Sequence, residues 1–130
     1  MNIVTIVARI LLGILFVLAG AMPFFMAPPP SPGLAGSFNQ LFYQSHWTLF
    51  VGAAQIVIGI LLLTNRFVPV ALIMLAAFIY NSFAFHITML PQGLFAPVIV
   101  LILGYIVARP YSGLFAPLFR PQPLRTQREP

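Results

Sequence analysis

Four apolar stretches, each long enough to cross a bilayer, alternate along this chain with short polar or proline-rich breaks. The first, Ile3–Phe25, is interrupted by charge only at Arg9. As a helix it spans about 30 Å of hydrocarbon, and Arg9 near its start is placed to snorkel to the interface. A cleaved signal peptide carries its positive charge ahead of the apolar core. Here the apolar run already begins at Ile3, so the stretch reads as a retained helix. The second stretch is Trp47–Thr64, with Trp47 where an interfacial aromatic anchor is expected. The third is Val68–His86, with Pro69 tolerated in its first turn. The fourth, Gly93–Ala108, sits at the lower length limit for a span and is ended by Arg109-Pro110.

The breaks have their own logic. Pro28-Pro29-Pro30-Ser31-Pro32-Gly33 cannot continue a helix, because proline lacks the N–H and clashes with the preceding turn. Within the uncharged 26–46 segment, Leu34–Tyr43 predicts a short interfacial helix with Phe38, Leu41 and Phe42 at the lipid boundary. Asn65-Arg66 is a tight polar turn, so the second and third spans are antiparallel neighbours. Residues 87–92 form the next turn. Beyond Ala108, Tyr111–Phe119 is apolar enough to lie on the membrane surface, and Arg125–Pro130 has the composition of a disordered end.

Composition strengthens the membrane reading. Hydrophobic residues make up 61% and charged residues 5%, with a mean hydropathy of +1.03. A soluble domain carries roughly a quarter charged residues, so this chain could not cover a water-facing surface. The fold class expected is all-α: an integral membrane four-helix bundle over 1–119, followed by a basic, proline-rich cytoplasmic tail at 120–130. The net charge of +5 comes from arginines dispersed among apolar runs. That pattern is a topology signal, not the basic face of a nucleic-acid binder. Four spans put Arg9, Arg66, Arg109, Arg120, Arg125 and Arg128 on one side, whereas the 26–46 and 87–92 connections carry no charge. The positive-inside rule then predicts both termini in the cytoplasm. The expected location is a bacterial inner membrane, with His46 and His86 at its outer face.

Helices in lipid associate through close approach at small residues. Gly13 and Gly20, Gly52 and Gly59, and Ala77 and Ala84 form pairs seven apart in the first three spans, each keeping to one helix face. Arg9, Gln55 and Asn81 lie on the same stripes and are expected to point into the bundle. Gln55 and Asn81 sit at similar depth and could meet. His86 follows Asn81 by a rotation of about 140° and does not share its face on a regular helix.

Candidate chemistry is sparse. His86 reads either as a hydrogen-bonding or proton-exchanging group for a quinone-like ligand, or as a helix-end histidine facing the last carbonyls. His46 reads as an interfacial loop residue. Gln55 and Asn81 read as an interhelical hydrogen bond or as ligand contacts. For Arg9 the alternatives are snorkelling and a ligand role. Two histidines and one carboxylate, Glu129, do not make a metal or haem site. The chain holds no cysteine, which excludes disulfide and thiol chemistry. The missing intramembrane carboxylates weigh against a proton-coupled transporter. No nucleophile–base pair or phosphate loop is visible, so the sequence leaves open whether the chain is an enzyme.

Several short motifs together resemble the DoxX family of small four-helix membrane proteins. They are Ala8-Arg9-Ile10-Leu11-Leu12-Gly13 with Gly20, then Gly52 and Gly59, and above all Asn81…Phe85-His86…Pro91-Gln92-Gly93. The resemblance covers about residues 3–119. It implies a membrane subunit of a redox system, quinone-linked in some members, working with a soluble oxidoreductase or another membrane subunit. It carries a functional role onto Arg9, Asn81 and His86. Many members have a basic residue after the first-helix glycine, whereas this chain has Ala21-Met22-Pro23. Taken together, the ligand-binding candidates are His86, Asn81, Gln55 and Arg9, with quinone as the candidate ligand, no cofactor within the chain and no metal. The lipid bilayer is the first partner expected, and self-association is a further option. The competing readings are a non-catalytic membrane scaffold or assembly protein, and a small-molecule transporter.

Overall fold

The computed structural model describes residues 2–121. Six α-helices follow in order: α1 Ile3–Phe25, α2 Gly33–Gln44, α3 Trp47–Thr64, α4 Val68–Met89, α5 Phe95–Ala108 and the short α6 Ser112–Phe115. 3₁₀ turns at Pro91–Gly93, Arg109–Tyr111 and Ala116–Phe119 make Pro91–Phe119 a nearly continuous helical segment. That segment, α1, α3 and α4 are each long and apolar enough to cross a membrane. The protein is an all-α membrane bundle.

Local chemistry sets the helix ends. Asn2 caps α1: its Oδ1 accepts from the Thr5 backbone N–H at 2.9 Å and from the Thr5 hydroxyl at 3.0 Å. Such a cap is worth about 1 kcal/mol. At the end of α3, Asn65 takes the left-handed conformation with φ 54°, which asparagine tolerates better than most residues. Its N–H bonds to the Leu62 carbonyl at 3.3 Å, and the Arg66 N–H bonds to the Leu61 carbonyl at 3.1 Å. These two bonds form a Schellman closure, and Phe67, also left-handed, completes the reversal into α4.

Four spans close a ring in which α1 contacts α3 and α5, and α4 contacts α3 and α5. The α1–α3 seam is the tightest. A Cβ added at Gly20 would lie 2.5 Å from the Gly52 carbonyl oxygen, and one at Gly59 would lie 2.7 Å from the Gly13 carbonyl oxygen. The two glycine pairs of α1 thus face the two of α3 in antiparallel register, backbone on backbone. Leu12, Phe16, Ile58, Leu62, Leu75 and Val107 fill the centre. Phe16 of α1 reaches across to Phe78 of α4, edge to face at 4.9 Å. Many large apolar side chains point outward, Phe50, Ile73 and Ile102 among them, as expected for helices that meet lipid.

Three details differ from the sequence reading. Ala77 and Ala84 are exposed, so the small-residue stripe of α4 faces away from the bundle; Leu72 and Leu75 supply its core face instead. α4 runs to Met89, placing His86 within its last turn. After Ala108 the chain continues as helical turns whose Tyr111 and Phe115 pack against the core, while Leu114, Leu118 and Phe119 stay exposed. The expected disordered end at 125–130 lies outside the described residues.

Candidate functional site

His86 lies in the last turn of α4, at the end of the bundle covered by α2. Its Nδ1 is 2.7 Å from the Ser82 carbonyl oxygen, with the Ser82 hydroxyl at 3.5 Å. A carbonyl only accepts, so Nδ1 carries the hydrogen, and in the neutral ring Nε2 is left as an acceptor. Nε2 has no hydrogen-bond partner among the described residues. The edge of the ring rests on Gly93: a Cβ there would lie 2.7 Å from His86 Cδ2 and 3.0 Å from Nε2. Gly93 ends the 3₁₀ turn after α4, so the chain doubles back directly beneath the imidazole.

An aromatic run leads to this histidine. Trp47 of α3 lies 5.9 Å from Phe42 of α2, Phe42 lies 4.1 Å from Phe38, and Phe38 lies 5.5 Å from Phe85 of α4. Phe85 meets His86 edge to face at 5.1 Å. Phe38 and Phe42 are half-buried by these contacts, whereas Leu41 faces outward. In α2 the close turn at Gly36, whose position leaves room only for the Ser31 carbonyl, tucks the proline-rich strand against the helix. The α2 helix is therefore a lid of aromatic side chains packed on α3 and α4, not a free amphipathic segment.

The other candidates do not converge on His86. Gln55 sits on the α1–α3 seam, its Cβ against the place where a Gly20 side chain would stand. Asn81 was expected to point inward, but it is exposed. Its Nδ2 donates to the Ala77 carbonyl of its own helix at 2.8 Å. It meets neither Gln55 nor His86. The cause is the rotation of α4, whose leucines win the core-facing side.

Arg9 points into the bundle at the opposite end. Its guanidinium donates to the Leu62 carbonyl oxygen and, at 3.4 Å, to that of Leu63. Those are carbonyls of the last turn of α3, where a cation also meets the negative end of the helix dipole. Arg9 thus acts as a C-terminal cap supplied by a neighbouring helix instead of snorkelling to the interface.

Two cavities among the described residues lie near these elements. One of about 390 Å³ lies between Asn2, Thr5 and Arg109 at the start of α1, and one of about 280 Å³ lies between the proline run and α2. Neither is lined by His86, Asn81, Gln55 or Arg9. Among the described residues no three His, Cys, Asp or Glu side chains stand close enough to hold a metal.

The model of the DoxX family matches residues 4–89. The chain belongs to the DoxX family. The match runs from the second residue of α1 to the end of α4 and includes Arg9, Gln55, Asn81 and His86; Gly93 and α5 lie beyond it. Comparisons with curated proteins and with solved structures found no significant match. Sequence reasoning singled out His86 but missed its dependence on Gly93 and the aromatic run from α2. The spacing of Phe38 and Phe42, one helical turn apart and preceding Trp47, was the available signal.

Proposed function

We propose that this DoxX-family protein is the membrane subunit of a quinone-linked redox system, in which His86 takes a hydrogen bond from a quinol headgroup. The supporting observation is the hydrogen-bond state of His86. Ser82 occupies Nδ1, so the ring offers Nε2 as an acceptor, in an orientation set by Gly93. Phe85 beside it, itself packed on Phe38, suits a flat headgroup. The headgroup supplies the redox chemistry when bound. The residues of this chain would orient it and accept its hydroxyl hydrogen bond, and a partner oxidoreductase would be its redox counterpart. Arginines at the α1 start, the α3–α4 turn and the α5 end support, under the positive-inside rule, a reading with His86 toward the outer face of a bacterial inner membrane.

The test is quinone retention. Protein purified in mild detergent is expected to carry quinone detectable by native mass spectrometry and extraction, and His86→Ala is expected to lose it. Equal quinone content in wild type and His86→Ala would sink the proposal. A second reading, a non-catalytic membrane scaffold, is favoured by the dispersal of Gln55, Asn81 and Arg9 to three separate places. Under that reading the protein carries only bulk phospholipid, and solubilised membranes yield an unrelated membrane partner in place of a soluble oxidoreductase.

A further inference from the structure

α4 spends its core contacts on one side and leaves the other uncovered. Ile73, Ala77, Tyr80, Asn81, Ala84 and Thr88 form a continuous exposed face. The helix has 22 residues, about 33 Å of length, and Asn81 lies within about 4 Å of its midpoint. In a bilayer that depth is hydrocarbon. The side chain satisfies one N–H on the Ala77 carbonyl, which is already an acceptor within the helix. Its Oδ1 and second N–H have no partner among the described residues. Thr88, by contrast, is satisfied locally, donating to the Ala84 carbonyl at 2.7 Å. Polar side chains within membrane helices almost always face protein or water and not lipid, and asparagine hydrogen-bonds across helix pairs.

We infer that the Asn81 face of α4 is the interface with a second copy of this chain. Three observations favour that occupant. A primary amide is both donor and acceptor, so its natural complement is another primary amide. Two copies inserted with the same topology are related by an axis along the bilayer normal, so Asn81 meets Asn81 of the other copy at the same depth. The interface is isologous, as most homodimer interfaces are. Ala77 and Ala84, one turn to either side, keep the two backbones close enough for the amides to bond in both directions. A different subunit would need its own amide at a matching depth. Asn81 lies about 140° around α4 from His86, and quinone retention does not depend on its amide.

The chain contains no cysteine, so single-cysteine variants report contacts without background. Ala77→Cys, Ala84→Cys and, as a lipid-facing control on α5, Ile102→Cys are reconstituted into vesicles of phosphatidylethanolamine and phosphatidylglycerol and oxidised. Disulfide-linked dimer is expected for the two α4 variants and not for the control. In the same vesicles, fluorescence energy transfer between labelled copies of the otherwise unaltered chain measures dimer affinity. Asn81→Leu is expected to weaken it by about tenfold or more, because two reciprocal amide bonds are lost. Asn81→Leu must also retain its helical circular dichroism, which its exposed position predicts. Cross-linking no greater than in the control would overturn the inference. So would undiminished dimerisation of Asn81→Leu, or cross-linking that arises only in native membranes and to another protein.

Discussion

Replacing Gly20 with alanine tests whether the α1–α3 seam is backbone on backbone. The new Cβ would sit 2.5 Å from the Gly52 carbonyl oxygen, 2.8 Å from Gln55 Cβ and 2.9 Å from the Ile56 nitrogen. Two of these three atoms are main chain and cannot swing aside. A carbon–oxygen contact settles near 3.3 Å, so the helices must part locally by about 0.8 Å from the 2.5 Å contact. A gap of that size forfeits roughly a quarter to a half of each affected dispersion contact, and overpacking of this kind costs about 1–3 kcal/mol. Alanine returns up to about 1 kcal/mol of helix propensity over glycine. From the middle of that range, less the propensity gain, the expected net loss is about 1 kcal/mol. Gly113, with no atom within 4 Å of an added Cβ, serves as the control, and its alanine variant should be neutral or slightly more stable. Steric trapping in bicelles, which reads unfolding free energy without leaving a membrane-like solvent, is the suitable assay. A Gly20→Ala protein as stable as wild type, beside an unaltered Gly113→Ala control, would refute the close-contact seam.

Two further outcomes follow from the geometry. Arg9→Ala removes the cap that α1 supplies to the Leu62 and Leu63 carbonyls and should cost about 1–2 kcal/mol by the same assay. One nitrogen, Nη1, makes both contacts, so lysine, with three donors on a single ammonium, should restore much of that loss; no rescue by lysine would show that the planar guanidinium itself is required. Gly93→Ala forces the His86 ring away from its Ser82 contact. Nitrogen NMR of the imidazole should then show the wild-type Nδ1–H tautomer giving way to a mixture, and an unchanged spectrum would disprove the link between Gly93 and the tautomer.

Much of the architecture was legible before any coordinates. The number of spans follows from run length and hydropathy, which are local properties. The reversals at Asn65-Arg66 and Pro91–Gly93 follow from residues with restricted or permissive backbones. Glycine pairs seven apart in Ile3–Phe25 and Trp47–Thr64 marked a packing face on each helix, because without side chains such positions have little use except close approach; that the two faces meet each other came from the structure. His86 stood out for the same reason that any polar group does in hydrocarbon.

Only the tertiary structure decided the rest. The facing direction of α4 was not readable, because its two candidate faces, Leu72 with Leu75 and Ala77 with Ala84, are both apolar. In water one face of a helix must be polar, and that contrast betrays its orientation. In a bilayer both sides are hydrocarbon, so rotation is settled by packing volume and not by polarity, and Asn81 was carried outward with the alanines. The cap that Arg9 places on α3, the seat that Gly93 gives His86 and the aromatic lid of α2 each join residues distant along the chain. Such pairings depend on which backbones approach closely, and that is fixed only when the helices have packed.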